Sequence, residues 1–288
     1  MRIDRPRITV IALSILPFIV GGGLASMILG STVFGELLSY SQQQYSFIEI
    51  AIQTVISTGL GSLVVLSLFY TIQKRGPAAR RTLVALVVSP ILTISFFIVG
   101  QSLLFILFKG ADIIASVLSL ASLGVLLMSF VFILMDSVPS YLRNFFVVFY
   151  GSVFGTFLGI VSLTASMIVL VVVVVMEDYF LTRYSPAAEA AVLIDTPGSD
   201  PFDYTRIQTS SAAVGVGDYI AFALISAHSL LFFPFYVWVM SVLLASLGII
   251  INATIIARDD EVLPGIPLPA LLALFPWIAH LLAFPLFL

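Results

Sequence analysis

The stretch "FFVVFYGSVFGTFLGIVSLTASMIVLVVVVVM", Phe145 to Met176, carries no charge from end to end. As one α-helix it would be about 48 Å long at 1.5 Å per residue. The hydrocarbon core of a bilayer is only about 30 Å thick. Three glycines, Gly151, Gly155 and Gly159, punctuate its first half. A turn near Gly159 predicts two short spanning helices in place of one. The choice matters, because it sets the side of the membrane on which every later loop falls.

Basic residues arbitrate, since they gather on the cytoplasmic side of membrane proteins. Further apolar runs occupy Ile8–Leu29, Ile50–Ile72, Leu83–Phe108, Ile113–Met135, Ala212–Phe233, Phe235–Ile256 and Ile266–Leu288. With the long run split there are nine spans. An N-terminus inside then places Arg2, Arg5, Arg7, Lys74, Arg75, Arg80, Arg81, Arg143, Arg183, Arg206 and Arg258 in the cytoplasm. Of the 12 basic residues only Lys109 falls outside. Leaving the run whole moves Arg183, Arg206 and Arg258 outside and weakens the bias. The sequence therefore predicts an all-α polytopic membrane protein of nine transmembrane helices, N-terminus cytoplasmic and C-terminus extracytoplasmic, in the cell membrane.

Composition agrees. Of 288 residues, 60% are hydrophobic and 9% charged, with a mean hydropathy of +1.18. Soluble domains carry about 25% charge. The net charge of −3 comes with no basic stretch able to track phosphates, which argues against nucleic acid as a partner. Cysteine is absent, which removes disulfides, thiolate catalysis and cysteine metal sites. His228 and His280 lie far apart in apolar runs and read as packed or hydrogen-bonded residues, because a metal site needs several convergent ligands. No metal or cofactor is expected. The chain divides into a six-span part (1–178), a cytoplasmic linker (179–211) and a three-span part (212–288). Within the linker, Ser185–Ile194 has a Ser cap and a Pro at the first helical position, which predicts a short interfacial helix.

An ionisable residue inside a span is a functional hypothesis by default. Asp112 and Asp136 border spans and read as solvated helix ends. Asp259, Asp260 and Glu261 read as a solvated turn. Asp178 and Asp218 are different. Asp178 ends the sixth span, running inward, and Asp218 begins the seventh, running back. Orientation alone puts both at the cytoplasmic edge on consecutive helices. Two carboxylates facing each other at low dielectric share a proton and titrate as a unit. The ionised partner can take a proton from water while the neutral one donates to a carbonyl under attack.

Two more features share that depth. Gly215 and Gly217 lack Cβ atoms, so another chain can approach closely. The last span opens with "VLPGIPLPALLALF", Val262 to Phe275, where Pro264, Pro267 and Pro269 predict an extended backbone able to pair with a strand.

These residues resemble a known family. "GVGD" at Gly215–Asp218, with "PAL" at Pro269, Ala270 and Leu271, is similar to the presenilin and signal-peptide-peptidase aspartyl intramembrane proteases. The compact loops look most like the archaeal presenilin homologues. The resemblance implies a nine-helix, presenilin-like bundle with Asp178 and Asp218 as catalytic residues. It also implies Gly215, Gly217, Pro267, Pro269, Ala270 and Leu271 as the substrate-binding set. The substrates would be transmembrane helices in the lipid bilayer, unwound locally because a helix hides its peptide bonds in its own hydrogen bonds. One departure stands out: Glu177 occupies the place of the tyrosine that precedes the family's first aspartate.

Rival readings are a prepilin-type GxGD peptidase, a multi-span transporter and a catalytically altered scaffold. The nine-span plan and the PAL stretch disfavour the first. A transporter site falls near the bilayer midplane, whereas these features gather at one edge. A serine protease would need a histidine beside Ser62 or Ser152, and none is placed there.

Overall fold

The computed structural model describes residues 5–31, 77–109, 112–184, 201–208, 213–257 and 264–283, with a few isolated positions between 48 and 59. Eight α-helices occur among the described residues: α1 (Arg5–Gly30), α2 (Pro77–Phe108), α3 (Asp112–Met135), α4 (Ser140–Val161), α5 (Thr164–Tyr184), α6 (Val216–Phe232), α7 (Phe235–Ile251) and α8 (Pro267–Ala283). A π-helical turn, Asn252–Ile256, extends α7. A 3-10 turn (Pro201–Tyr204) and two strands, β1 (Arg206–Gln208) and β2 (Ala213–Gly215), lie between α5 and α6.

Among the described residues, five helical stretches are long and apolar enough to cross a membrane: Arg7–Gly30, Ala79–Phe108, Ser116–Met135, Ser140–Val161 and Phe235–Ile256. α6 and α8 are apolar but shorter, at 17 residues each. The chain is a helical, membrane-embedded protein. The expected second span, Ile50–Ile72, falls almost wholly outside the described residues, as do Ser62 and the expected helix Ser185–Ile194. Several hydroxyls within the helices return to the preceding turn, as in Ser102 to the Ile98 carbonyl and Ser122 to the Leu118 carbonyl. That local bond removes the cost of a polar atom in lipid. α3 turns Val117, Leu120, Leu123 and Leu127 outward, as a helix bathed by lipid chains can.

The long uncharged run divides, although not at Gly159. α4 continues to Val161, Ser162 is extended (φ −89°, ψ 141°), and α5 begins at Thr164. The glycines serve another purpose. A Cβ on Gly151 would lie 2.9 Å from the Tyr219 Cβ, and one on Gly159 would lie 2.6 Å from the Leu224 carbonyl oxygen. A Cβ on Gly155 would strike the Ile220 carbonyl. The three glycines form a seam along which α4 and α6 pack closely, backbone to backbone at Gly155 and Gly159 and against the Tyr219 and Val216 side chains at Gly151, the usual means of close helix packing in membranes. On the far side of α6, Gly21 of α1 meets the Ala223 backbone in the same way, 2.7 Å from a Cβ placed there. α6 is thus gripped between α1 and α4.

His228 of α6 fastens the α4–α5 break. Its Nδ1 lies 2.8 Å from the Gly159 carbonyl oxygen and its Nε2 lies 3.1 Å from Thr164 Oγ1. The ring is fully buried and stacks on Phe232. A carbonyl only accepts, so Nδ1 carries a proton. The expectation of a packed, hydrogen-bonded histidine describes this residue.

The apolar run Ala212–Phe233 is not helical throughout. Ala213–Gly215 pairs antiparallel with Arg206–Gln208, in the register Arg206 opposite Gly215 and Ile207 opposite Val214. Ile207 and Val214 are buried together against Val84, Val147 and Tyr219. Burial of those two β-branched side chains outweighs helix propensity over three residues. The tail of the expected linker, Pro201–Gln208, is therefore packed onto the bundle.

Candidate functional site

Asp218 is the third residue of α6, whose N-cap is Gly215. The first amides of a helix have no intrahelical partner. Here the Val216 amide donates to the Thr205 carbonyl at 2.8 Å, so the strand segment caps the helix. The Tyr219 hydroxyl donates to the Leu13 carbonyl at 2.7 Å and ties the same turn to α1. An acid in a first helical turn is stabilised by the helix dipole anywhere in a protein. What separates Asp218 from that ordinary case is its surroundings.

The partner segment is Gly265–Ile266, just before α8. A Cβ built on Gly265 would lie 2.9 Å from Asp218 Oδ2 and 3.1 Å from Oδ1. The Asp218 carboxyl therefore lies flat against a backbone that has no side chain to spare. One residue on, the Ile266 amide donates to Asp178 Oδ2 at 3.0 Å. Thr182, one turn along α5, points its hydroxyl at Asp178 Oδ1 from 3.4 Å. Two acids from different helices thus converge on one dipeptide, and both are half-buried.

Glu177 takes no part in this. Its Oε1 is buried without a hydrogen-bond partner among the described residues. No group of three or more His, Cys, Asp or Glu able to hold a metal occurs among the described residues.

The expected binding residues fall into two sets. Gly215 and Gly217 are exposed beside the acids. A Cβ at Gly215 would find nothing nearer than the Gly217 nitrogen at 3.9 Å, and one at Gly217 nothing nearer than Ile266 Cδ1 at 4.0 Å. Room exists there. Pro267, Pro269, Ala270 and Leu271 are not extended: they form the first turns of α8, with the Ala270 amide bonded to the Ile266 carbonyl at 2.9 Å. Proline suits that place because the first helical amides are unpaired anyway. Pro269 and Ala270 are buried, Pro269 against Gly248, whereas Leu271 is 52% exposed. These four cannot offer a strand edge, and the extended backbone beside the acids belongs to β2.

Gly265, Ile266 and Thr182 join the site without a strong signal of their own in the sequence. The glycine between prolines in "PGIP" and the threonine one helical turn after Asp178 were the available signs.

Asp136 is not a solvated helix end either. It adopts φ 50° after α3, a left-handed conformation that Asp tolerates. There it meets Arg81 at 3.2 Å and Arg143 at 3.5 Å. The Asp112 side chain lies outside the described residues.

No protein-family model matches the chain, and no curated protein matches it.

Proposed function

We propose that the chain is an intramembrane aspartyl endopeptidase of the presenilin and signal-peptide-peptidase type, cutting transmembrane helices with a water activated by Asp178 and Asp218. The observation that carries this reading is the convergence of both carboxyls on Gly265–Ile266. A pair that shares one proton supplies a base and an acid side by side. The ionised carboxylate removes a proton from water as its oxygen attacks the scissile carbonyl carbon. The protonated carboxyl donates to the carbonyl oxygen. Collapse of the tetrahedral species breaks the C–N bond, and the amine leaves with a proton passed back through the pair.

The substrate backbone must be extended to be attacked, because a helix encloses its peptide bonds. β2 ends at Gly215, three residues before Asp218, and its partner β1 occupies one edge. An unwound substrate strand laid along the other edge passes the open face at Gly215 and Gly217. In this reading the termini lie as the charge bias directs, N-terminus in the cytoplasm and C-terminus outside, with the acids at the cytoplasmic edge. The reaction consumes water and calls for no cofactor.

The test is cleavage of a labelled single-pass helix by the purified chain in lipid vesicles, compared with Asp178→Asn and Asp218→Asn. Wild type should cut, and each variant should lose about a hundredfold or more in rate. Variants that cut like wild type would end the reading.

A further inference from the structure

Five alternating charges join the bundle to the strand pair. Arg81 of α2 reaches Asp136 at 3.2 Å, Asp136 reaches Arg143 of α4 at 3.5 Å, and Arg143 reaches Asp203 at 3.7 Å. Asp203 then receives Arg206 of β1, at 2.9 Å from Nη2 and 3.3 Å from Nε. The centre of the chain is dry: Asp203 is 4% exposed and Arg143 7%. The Tyr204 ring lies under the Arg143 guanidinium at 5.4 Å, and the Tyr204 carbonyl accepts from Tyr150 at 2.7 Å. Burial makes such ions costly, and they persist where a partner holds each one.

The position of the last link is what matters. Arg206 stands opposite Gly215 in the strand register, and Thr205, its neighbour, caps Val216. From Asp203 the path to Asp218 is therefore wholly backbone-bonded, with no flexible side chain in it. We infer that Asp203 and Arg143 are positioning residues for Asp218. By locking the 201–208 segment to α4, they fix the strand pair, and the strand pair fixes the turn from which the Asp218 carboxyl meets Gly265. The consequence for catalysis rests on the protease reading, whereas the consequence for geometry does not.

The experiment separates the two. In the full chain, Asp203→Asn and the milder Arg206→Gln are assayed for helix cleavage, and Asp203→Glu is tested for rescue. Expected is a drop in kcat of about tenfold or more with KM within about twofold, since misplacement of a reacting group acts on the chemical step. Asp203→Glu should recover most of the rate. In parallel, Asp178→Cys and Asp218→Cys are introduced together into this cysteine-free chain and joined by a short thiol crosslinker. The crosslink should form with the network intact and be lost with Asp203→Asn, while both proteins remain monodisperse with helical circular dichroism. A crosslink unchanged by Asp203→Asn and Arg206→Gln, or a kcat unchanged by both, overturns the proposal. If the wild-type chain cuts no helix at all, the protease reading falls and the crosslink alone decides the positioning role.

Discussion

The backbone amide of Ile266 holds Asp178 by one oxygen at 3.0 Å, while the preceding residue, Gly265, lies bare against the carboxyl of Asp218. One dipeptide therefore serves both acids, by donation on one side and by absence of a side chain on the other.

Gly265→Ala tests the bare side. A methyl group there would lie 2.9 Å from Asp218 Oδ2, so the carboxyl must move. Cleavage should fall by about tenfold or more, because a reacting group is pushed off its position. Thermal unfolding in detergent should change little, because the clash is relieved by one side chain.

Glu177→Gln tests which acid belongs to the pair. Asp178, not Glu177, accepts the Ile266 amide. The substitution should leave cleavage within about threefold of wild type, in contrast to the loss on Asp178→Asn. A Glu177→Gln variant as inactive as Asp178→Asn would contradict the assignment.

The α4 seam gives a stability prediction. Gly155→Ala places a methyl into the Ile220 carbonyl, where backbone cannot yield as a side chain does. Overpacking of this kind costs about 1–3 kcal/mol. Gly124→Ala on α3, where a Cβ meets nothing within 4 Å, should be neutral or slightly stabilising. Paired denaturation curves in one detergent decide it.

Alkaline pH should loosen the strand pair. Burial, helped by the negative charge of Asp136, pushes the Tyr204 hydroxyl from its usual value of 10.0 up to about 12. The folded state thus holds the proton more tightly than the unfolded one. Its contribution is full below pH 10 and fades between about 10 and 12, by about 3 kcal/mol in all. Denaturation across that range should show a steeper loss for wild type than for Tyr204→Phe.

Much of this was readable in the residues. Charge bias split the Phe145–Met176 run correctly, because basic side chains are counted along the chain and need no packing information. The two acids were also singled out as a pair from their places at the ends of consecutive apolar runs, and in the structure both carboxyls lie at Gly265–Ile266. Local conformation was less legible. Gly159 suggested a turn, yet its use is a neighbour's backbone sixty-odd residues away, which only tertiary structure supplies. The prolines at 267 and 269 suggested a strand, yet proline is equally at home in the opening turn of a helix. Asp136 suggested solvent, because its ion partners come from two other helices.

The two acids are held by different physics. Asp218 rides on a helix interlocked at Gly21, Gly151, Gly155 and Gly159, where nothing larger than hydrogen fits. Asp178 sits near the end of a helix that packs chiefly on α6 and α8, and it is located by one amide and one hydroxyl. Damage should therefore sort by address. Substitutions along the glycine seam will register as protein that fails to accumulate, and those around Ile266 as protein that accumulates and does nothing.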